Sequence, residues 1–283
     1  DQSVPERLDR LLHNRNVPPC IVVFPDCFTA LGGNQYINSS AVGRYADFLT
    51  RELVPAIDKE FRTKPDRDHR GVFGKSSGGY GALIHGMKYA KYWGAIAAHS
   101  GDAYFDFIYQ AEWPIALSGL QQYAQQTTPP KTMQSKPGHD DGRIARFLDY
   151  VWQTERPSGS DITILMMICM AATYDPDPRA PLGFRLPYDL NTGALIDSRW
   201  RRWLRHDPVH LAPNSKSNLA SLKGIYIDCG WRDQHHIHFG SRQLSGTLKK
   251  MKIKHTYEEF NGSHSGIDYR MDRSLPFLAR TLR

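Results

Sequence analysis

Apolar positions follow two periods along the chain. Short, nearly continuous apolar runs at residues 20–24 (CIVVF), 71–73 (GVF), 94–98 (GAIAA) and 224–228 (GIYID), with the more polar stretch 255–260 (HTYEEF), predict five strands. Helical spacing fills the intervals. The segment AVGRYADFLTRELVPAIDKEF puts Val42, Tyr45, Leu49, Leu53 and Ile57 on one face, with Pro55 expected to kink the helix. Near the start, VPERLDRLLHNRN places Val4, Leu8, Leu11 and Leu12 together, and further helices are predicted over 79–89 and over SRQLSGTLKKMK. Strands alternating with helices predict an α/β fold whose mostly parallel sheet carries helices on both faces.

Between residues 102 and 222 the pattern changes. TTPPKTMQSKPGHDDG and YDPDPRAPLGFRLPYDL are turn-dense, while helices predicted over 142–153 and 158–173 have no strand between them. The expected organisation is a core from 1–101 and 223–283, interrupted by a largely helical cap at 102–222. In open α/β sheets an insertion so placed lies above the strand C-termini and shapes the ligand site.

At 283 residues the chain can bury a large core, and 40% hydrophobic with 23% charged residues is ordinary for a globular protein. The longest apolar run, ITILMMICMAA, is too short to span a bilayer. The formal charge of +7 is mild; Lys and Arg are scattered except in KKMKIK and RWRRWLR, and no nucleic-acid module is recognisable. Cys20, Cys27, Cys169 and Cys229 show neither metal nor disulfide spacing. Two of them fall in predicted strands, so buried thiols in a reducing, cytoplasmic compartment are expected.

Chemistry enters with GKSSGGYGA, which follows the run at 71–73 and leads into a helix. In a G-x-S-x-G turn the flanking glycines let the backbone fold tightly and display the central hydroxyl above the sheet. Gly74, Ser76 and Gly78 occupy those places, and Ser77 N–H, at the start of the helix, is a natural donor to a developing oxyanion. A phosphate loop is excluded because His69 stands where that motif needs its first glycine. Downstream, Asp233 sits in a loop past the strand at 224–228 and is preferred as the acid over Asp228, which lies within the strand. His264, in the loop NGSHSGID after the last strand, is the candidate base. The order Ser76, Asp233, His264 is that of the α/β-hydrolase fold.

FPDCFTALGGNQYINSS, DRDHRGVFGKSSGGYGA, AHSGDAYF, YIDCGWRDQHH and FNGSHSGIDYR together resemble the esterase D group of α/β hydrolases, the Putative esterase family. That family includes S-formylglutathione hydrolases, enterochelin esterases, feruloyl and acetylxylan esterases and antigen 85 mycolyltransferases. The resemblance covers most of 17–110 and 222–283. It implies Ser76 as nucleophile, Asp233 as acid and His264 as base, with Asp228, Gly230 and Asp233 reproducing the family's Asp-x-Gly-x-x-Asp pattern. Such folds usually draw a second oxyanion N–H from a loop upstream of CIVVFPD, and no such segment is present. The local candidates are the backbone around Cys27 and Phe28. We therefore expect an N-terminal piece of about 50 to 100 residues, judged from usual domain sizes, to be missing or processed.

The same reading places Asp26, Gly32, Gly33, Asn34 and Gln35 beside the site and allows His99 to line an acyl pocket or merely close a packed turn. His235, His236 and His238 are read as opening the next helix rather than as a metal site. The tryptophans Trp113, Trp152, Trp200, Trp203 and Trp231 read as core or as aromatic walls, and Arg199, Arg201, Arg202 and Arg205 as a solvated helix. The expected function is hydrolysis of carboxylic esters with short acyl groups, without cofactor or metal. A small-molecule ester is the expected partner, with no nucleic acid, no membrane span and a homodimer allowed. Acyl transfer to a sugar or alcohol and a non-catalytic binding role are the alternatives.

Overall fold

The computed structural model describes residues 2–124 and 141–283. The turn-dense stretch expected over 127–142 lies outside the described residues up to position 140. Among described residues the chain divides into two compact units. One comprises Asp1–Asp26, Asp47–Tyr104 and Asp207–Arg283, the other Cys27–Ala46 and Phe105–His206. The segment 27–46, read from sequence as part of the core, thus groups with the middle of the chain.

The first unit is built on four parallel strands that lie side by side in chain order: β1 (Gly71–Lys75), β2 (Ala95–His99), β3 (Gly224–Gly230) and β4 (Thr256–Phe260). β2 and β3 are buried at every position, whereas β1 and β4 are partly exposed throughout, as befits central and edge strands. Alternation along the strands assigns the faces. Phe73, Ala95, Ala97 and Tyr226 meet Phe277, Leu278 and Leu282 of the C-terminal segment on one side. Ile96 points the other way, where Gly86 lets the helix after Ser76 approach so closely that an added Cβ would lie 2.7 Å from Ile96 Cδ1.

The helices follow the expected spacing with small shifts. Helix α1 (Val4–His13) opens on a Ser3–Glu6 capping box, and its Val4, Leu8, Leu11 and Leu12 pack on Met271 and Leu275. Helix α2 (Val54–Glu60) has Pro55 in its first turn, preceded by π-helical turns over Phe48–Leu53. The proline expected to kink a continuous helix thus begins a new segment, where its missing N–H is no loss, and the wider turns before it absorb the misfit. Helix α3 (Ser77–Lys88) follows β1, α4 (Ile237–Lys250) precedes β4, and α5 (Met271–Thr281) closes the chain.

One predicted strand is corrected. Residues 20–24 run outside any strand, and Ile21, Val23 and Phe24 are 47%, 39% and 58% exposed. β-propensity describes fit to a neighbouring strand, and among the described residues this segment has no ladder partner. The expectation that Cys20 is buried fails with it: that thiol is exposed, Cys27 is intermediate, and only Cys169 and Cys229 are buried, all four free.

The second unit is helical, with helices at Trp113–Gln121, Arg143–Gln153, Gly159–Tyr174 and Asp197–Leu204 and a short antiparallel pair, Asn38–Ser39 with Gly43–Arg44. Gly159–Tyr174 starts at a Ser158–Asp161 capping box and is buried over most of its length, matching its apolar composition on every face. Ser39 Oγ donates to Ala172 O at 2.6 Å and ties the 27–46 segment to this helix. Trp113, Trp200 and Trp203 are core, packed with Tyr109 and Tyr174. Arg199 and Arg202 bind the buried Asp175, while Arg201 and Arg205 face solvent. No helix among the described residues is long and apolar enough to cross a membrane.

Candidate active site

Ser76 occupies the turn between β1 and α3. Its N–H donates to His99 O at 2.9 Å, continuing the β1–β2 ladder for one residue beyond the strand. Its φ of 57° and ψ of −125° are a conformation that costs a residue bearing a Cβ about 1–3 kcal/mol. The glycines are required by contact. A Cβ on Gly74 would lie 2.5 Å from the carbonyl of Gly78, and one on Gly79 2.8 Å from His99 O and Gly101 Cα. Ser77 is the first residue of α3, so its backbone N–H belongs to the first turn of that helix.

Asp233 and His264 meet this turn from two other loops. His264 Nε2 lies 2.9 Å from Ser76 Oγ and Nδ1 lies 2.8 Å from Asp233 Oδ2. A carboxylate only accepts, so Nδ1 carries the proton and, in the neutral ring, Nε2 accepts from the serine hydroxyl. Asp233 Oδ1 takes the N–H of His235 at 2.9 Å. Gly230 explains how the loops come so close, because a Cβ there would collide with the backbone of Gly262 and Ser263. Arg232 N–H also donates to Gly262 O at 3.0 Å.

The electrostatics favour a charged Asp233. Burial raises the Asp233 carboxyl, but hydrogen bonds from His264 and the His235 amide, with the imidazole's charge, outweigh it and hold the group below the usual aspartate range. Its neighbour Cys229 is pushed up by burial, offset in part by Ser100, with the charges of Asp233 and Asp228 adding to the rise. The uncharged thiol reaches Asp233 Oδ2 at 3.7 Å as a weak donor.

The remaining sequence candidates separate. His99 does not line a pocket: it is 2% exposed, with Nδ1 2.7 Å from Asp228 and Nε2 2.8 Å from Ser274. All four residues of 99–102 are buried. Cys27, Phe28, Gly32, Gly33 and Gln35 belong to the second unit. There Cys27 O accepts from Asn34 Nδ2 at 2.5 Å, Phe28 packs edge-on to Trp152, and Gln35 Nε2 donates to Met170 Sδ at 2.8 Å. Gly32 has φ 91°, and a Cβ there would lie 2.9 Å from Leu165 Cδ2, whereas one on Gly33 would meet open space. His236 is the N-cap of α4, and His235 stands edge-on to His264 at 4.9 Å. Burial lowers the His238 pKa. Among the described residues no group of three or more His, Cys, Asp or Glu could hold a metal ion. The sequence reading missed Gln234, whose Oε1 accepts the N–H of His264 at 3.0 Å. Its position beside the acid was the only available signal.

The parallel sheet with its flanking helices is the fold of the α/β hydrolases. A solved structure described as a ferulic acid esterase superposes with a TM-score of 0.57 over 99% of this chain and 78% of its own, at 18% identity. MPT51 (FbpC1) of Mycobacterium tuberculosis gives 0.50 over 89% and 76%, at 15% identity. At these identities the likeness is one of fold. The chain belongs to the Putative esterase family, whose model matches residues 34–272. Esterase MT1326 of Mycobacterium tuberculosis (strain CDC 1551 / Oshkosh) and Esterase Rv1288 of strain ATCC 25618 / H37Rv are each 40% identical over 91 residues, or 30% of this chain. That match spans 19% of the relatives' own length.

Proposed function

We propose that this protein is a serine carboxylesterase in which Ser76 is the nucleophile, His264 the general base and Asp233 the orienting acid. The observation that carries the reading is the continuous chain Ser76 Oγ, His264 Nε2, His264 Nδ1, Asp233 Oδ2, with links of 2.9 and 2.8 Å. Ser76 Oγ attacks the ester carbonyl carbon as its proton passes to Nε2, and the carbonyl oxygen becomes an oxyanion beside Ser77 N–H. Collapse breaks the ester C–O bond, and the alcohol departs with the proton from Nε2. Water then attacks the acyl-enzyme, gives its proton to Nε2, and the carboxylic acid leaves as Ser76 is re-formed. Asp233 keeps Nδ1 protonated and stabilises the imidazolium in both halves.

Short-chain carboxylic esters are the proposed substrates, without cofactor or metal. Four free thiols suit a reducing compartment such as the cytoplasm. Hydrolysis of p-nitrophenyl acetate, butyrate and octanoate tests reaction and chain length together. Ser76→Ala should lose at least about 10⁴-fold in kcat/KM and all labelling by a fluorophosphonate probe. Full activity in that variant refutes the assignment.

A further inference from the structure

A second Ser-His-Asp constellation lies in the interior of the first unit. Ser274 Oγ is 2.8 Å from His99 Nε2, and His99 Nδ1 is 2.7 Å from Asp228 Oδ1, distances that match those of the site around Ser76. Access separates the two. Ser274 and Asp228 are fully buried and His99 nearly so, so no ester can reach this serine.

The register of the sheet explains how the cluster arises. His99, Asp228 and Glu258 are direct cross-strand partners on β2, β3 and β4. His99 lies two residues along from Ala97, and Asp228 two from Tyr226, on the face that packs against the C-terminal segment. That segment supplies Ser274 and Arg270. Asp228 Oδ2 accepts from Arg270 Nε and from Tyr226 O–H, each at 2.9 Å, and Arg270 continues to Glu258. Each buried polar group in this row therefore has a partner, the condition under which a low-dielectric network rigidifies its surroundings.

The network touches all three segments that bear the proposed catalytic residues. The carbonyl of His99 holds Ser76 N–H, and the carbonyl of Asp228 holds Ser100 N–H at 2.8 Å. Asp228 is five residues before Asp233 on the same strand and loop. Arg270 follows His264 by six residues and lies over the Phe260 ring at 4.4 Å, at the opposite end of the His264 loop. We propose that His99, with Asp228 and Arg270, is a positioning centre that holds the Ser76 turn and the His264 loop in mutual register. The inference rests on the serine-esterase reading of Ser76, Asp233 and His264. It predicts effects on turnover rather than on substrate affinity, because none of its members touches the reacting atoms.

The experiment compares His99→Leu, His99→Asn and Ser274→Ala with wild type, by p-nitrophenyl acetate kinetics and by amide hydrogen exchange of the peptides containing Ser76 and His264. Leucine removes both ring bonds, whereas asparagine keeps an N–H donor where Nδ1 meets Asp228. For His99→Leu we expect kcat to fall about 10- to 100-fold with KM within about twofold, and both peptides to exchange faster while α4 keeps wild-type protection. His99→Asn should recover most of both losses. Ser274→Ala leaves the Asp228 contacts intact and should show a smaller change of the same kind, which keeps the test open if leucine prevents folding. Wild-type kcat and exchange in folded His99→Leu, or in Ser274→Ala where leucine does not fold, overturn the proposal. So does faster exchange spread evenly over the sheet. An inactive wild type counts against the esterase reading alone, and the exchange pattern still decides the positioning role.

Discussion

The backbone N–H of His264 donates to Oε1 of Gln234, the residue next to Asp233, across 3.0 Å. The His264 loop and the Asp233 loop are therefore linked twice, through Nδ1 and Oδ2 and through the main chain of His264. Gln234 is exposed, so its removal costs only about 0.5–1.5 kcal/mol of stability. Its effect on geometry is larger than its effect on folding. Gln234→Ala should lower kcat for p-nitrophenyl acetate about tenfold with KM nearly unchanged. Gln234→Glu retains an acceptor at the same reach and should recover most of the loss; equal losses in both would disprove the tether.

Ser76 combines a positive φ with a side chain, and the surrounding bonds hold it there. Glycine relieves that strain of about 1–3 kcal/mol but adds flexibility to the unfolded chain worth about 0.5–1 kcal/mol. Ser76→Gly should thus be inactive and yet more stable than wild type by about 1 kcal/mol. Urea unfolding midpoints of the two proteins, read by far-ultraviolet dichroism, give the comparison. A less stable glycine variant would mean that the serine conformation carries no strain.

Gly230 occupies the point where the end of β3 passes the loop that carries His264. Any side chain there meets the carbonyl of Gly262, and neither backbone can yield without moving that loop. Gly230→Ala should therefore reduce fluorophosphonate labelling of Ser76 much more than it reduces the folded fraction. Labelling at the wild-type rate in the folded protein would show that the loop has room to spare.

The strand-to-helix turn, the order of Ser76, Asp233 and His264, and the strands on either side were legible because each has a short-range cause. A glycine is forced by a neighbouring backbone, and a continuous apolar run by burial on both faces. β2 differs from its expected bounds by one residue, and β3 extends two residues further, to Gly230. The segment 20–24 misled because its composition records a propensity for a sheet neighbour without supplying one. The His99 network was hidden for the opposite reason. Its members lie up to 175 positions apart in sequence and meet only through strand register, which residue spacing alone does not encode. Asp228 looked like a competitor for the catalytic role because the pattern of a buried strand does not explain an aspartate inside it; its partners His99 on β2, Tyr226 on β3 and Arg270 of the C-terminal segment do.

Acid should destabilise the first unit by a route the charges make specific. Asp233, Glu258 and Asp272 are all raised by burial and lowered further by their partners, with the net result that each lies below its ordinary value of 3.8 for aspartate or 4.5 for glutamate. The partners are His264 for Asp233, Arg270 and Arg273 for Glu258, and Arg7 and Arg10 for Asp272. At a pH between the folded and unfolded values the unfolded chain binds more protons, so stability rises with pH across that window. The contribution is complete above the unfolded values and is lost as pH falls through the folded ones. Urea midpoints should therefore be insensitive to these groups above about pH 5 and decline steeply below about pH 4. Asp272 joins α5 to α1, and its side chain remains partly open to water, so its share is modest. Asp272→Asn should lower the midpoint at pH 7 and flatten the decline between about pH 5 and pH 2, because one titrating group has been removed from the folded state. An unchanged slope with a lowered plateau would assign the acid sensitivity to other carboxylates and leave the Arg7–Asp272–Arg10 bridge with a packing role only.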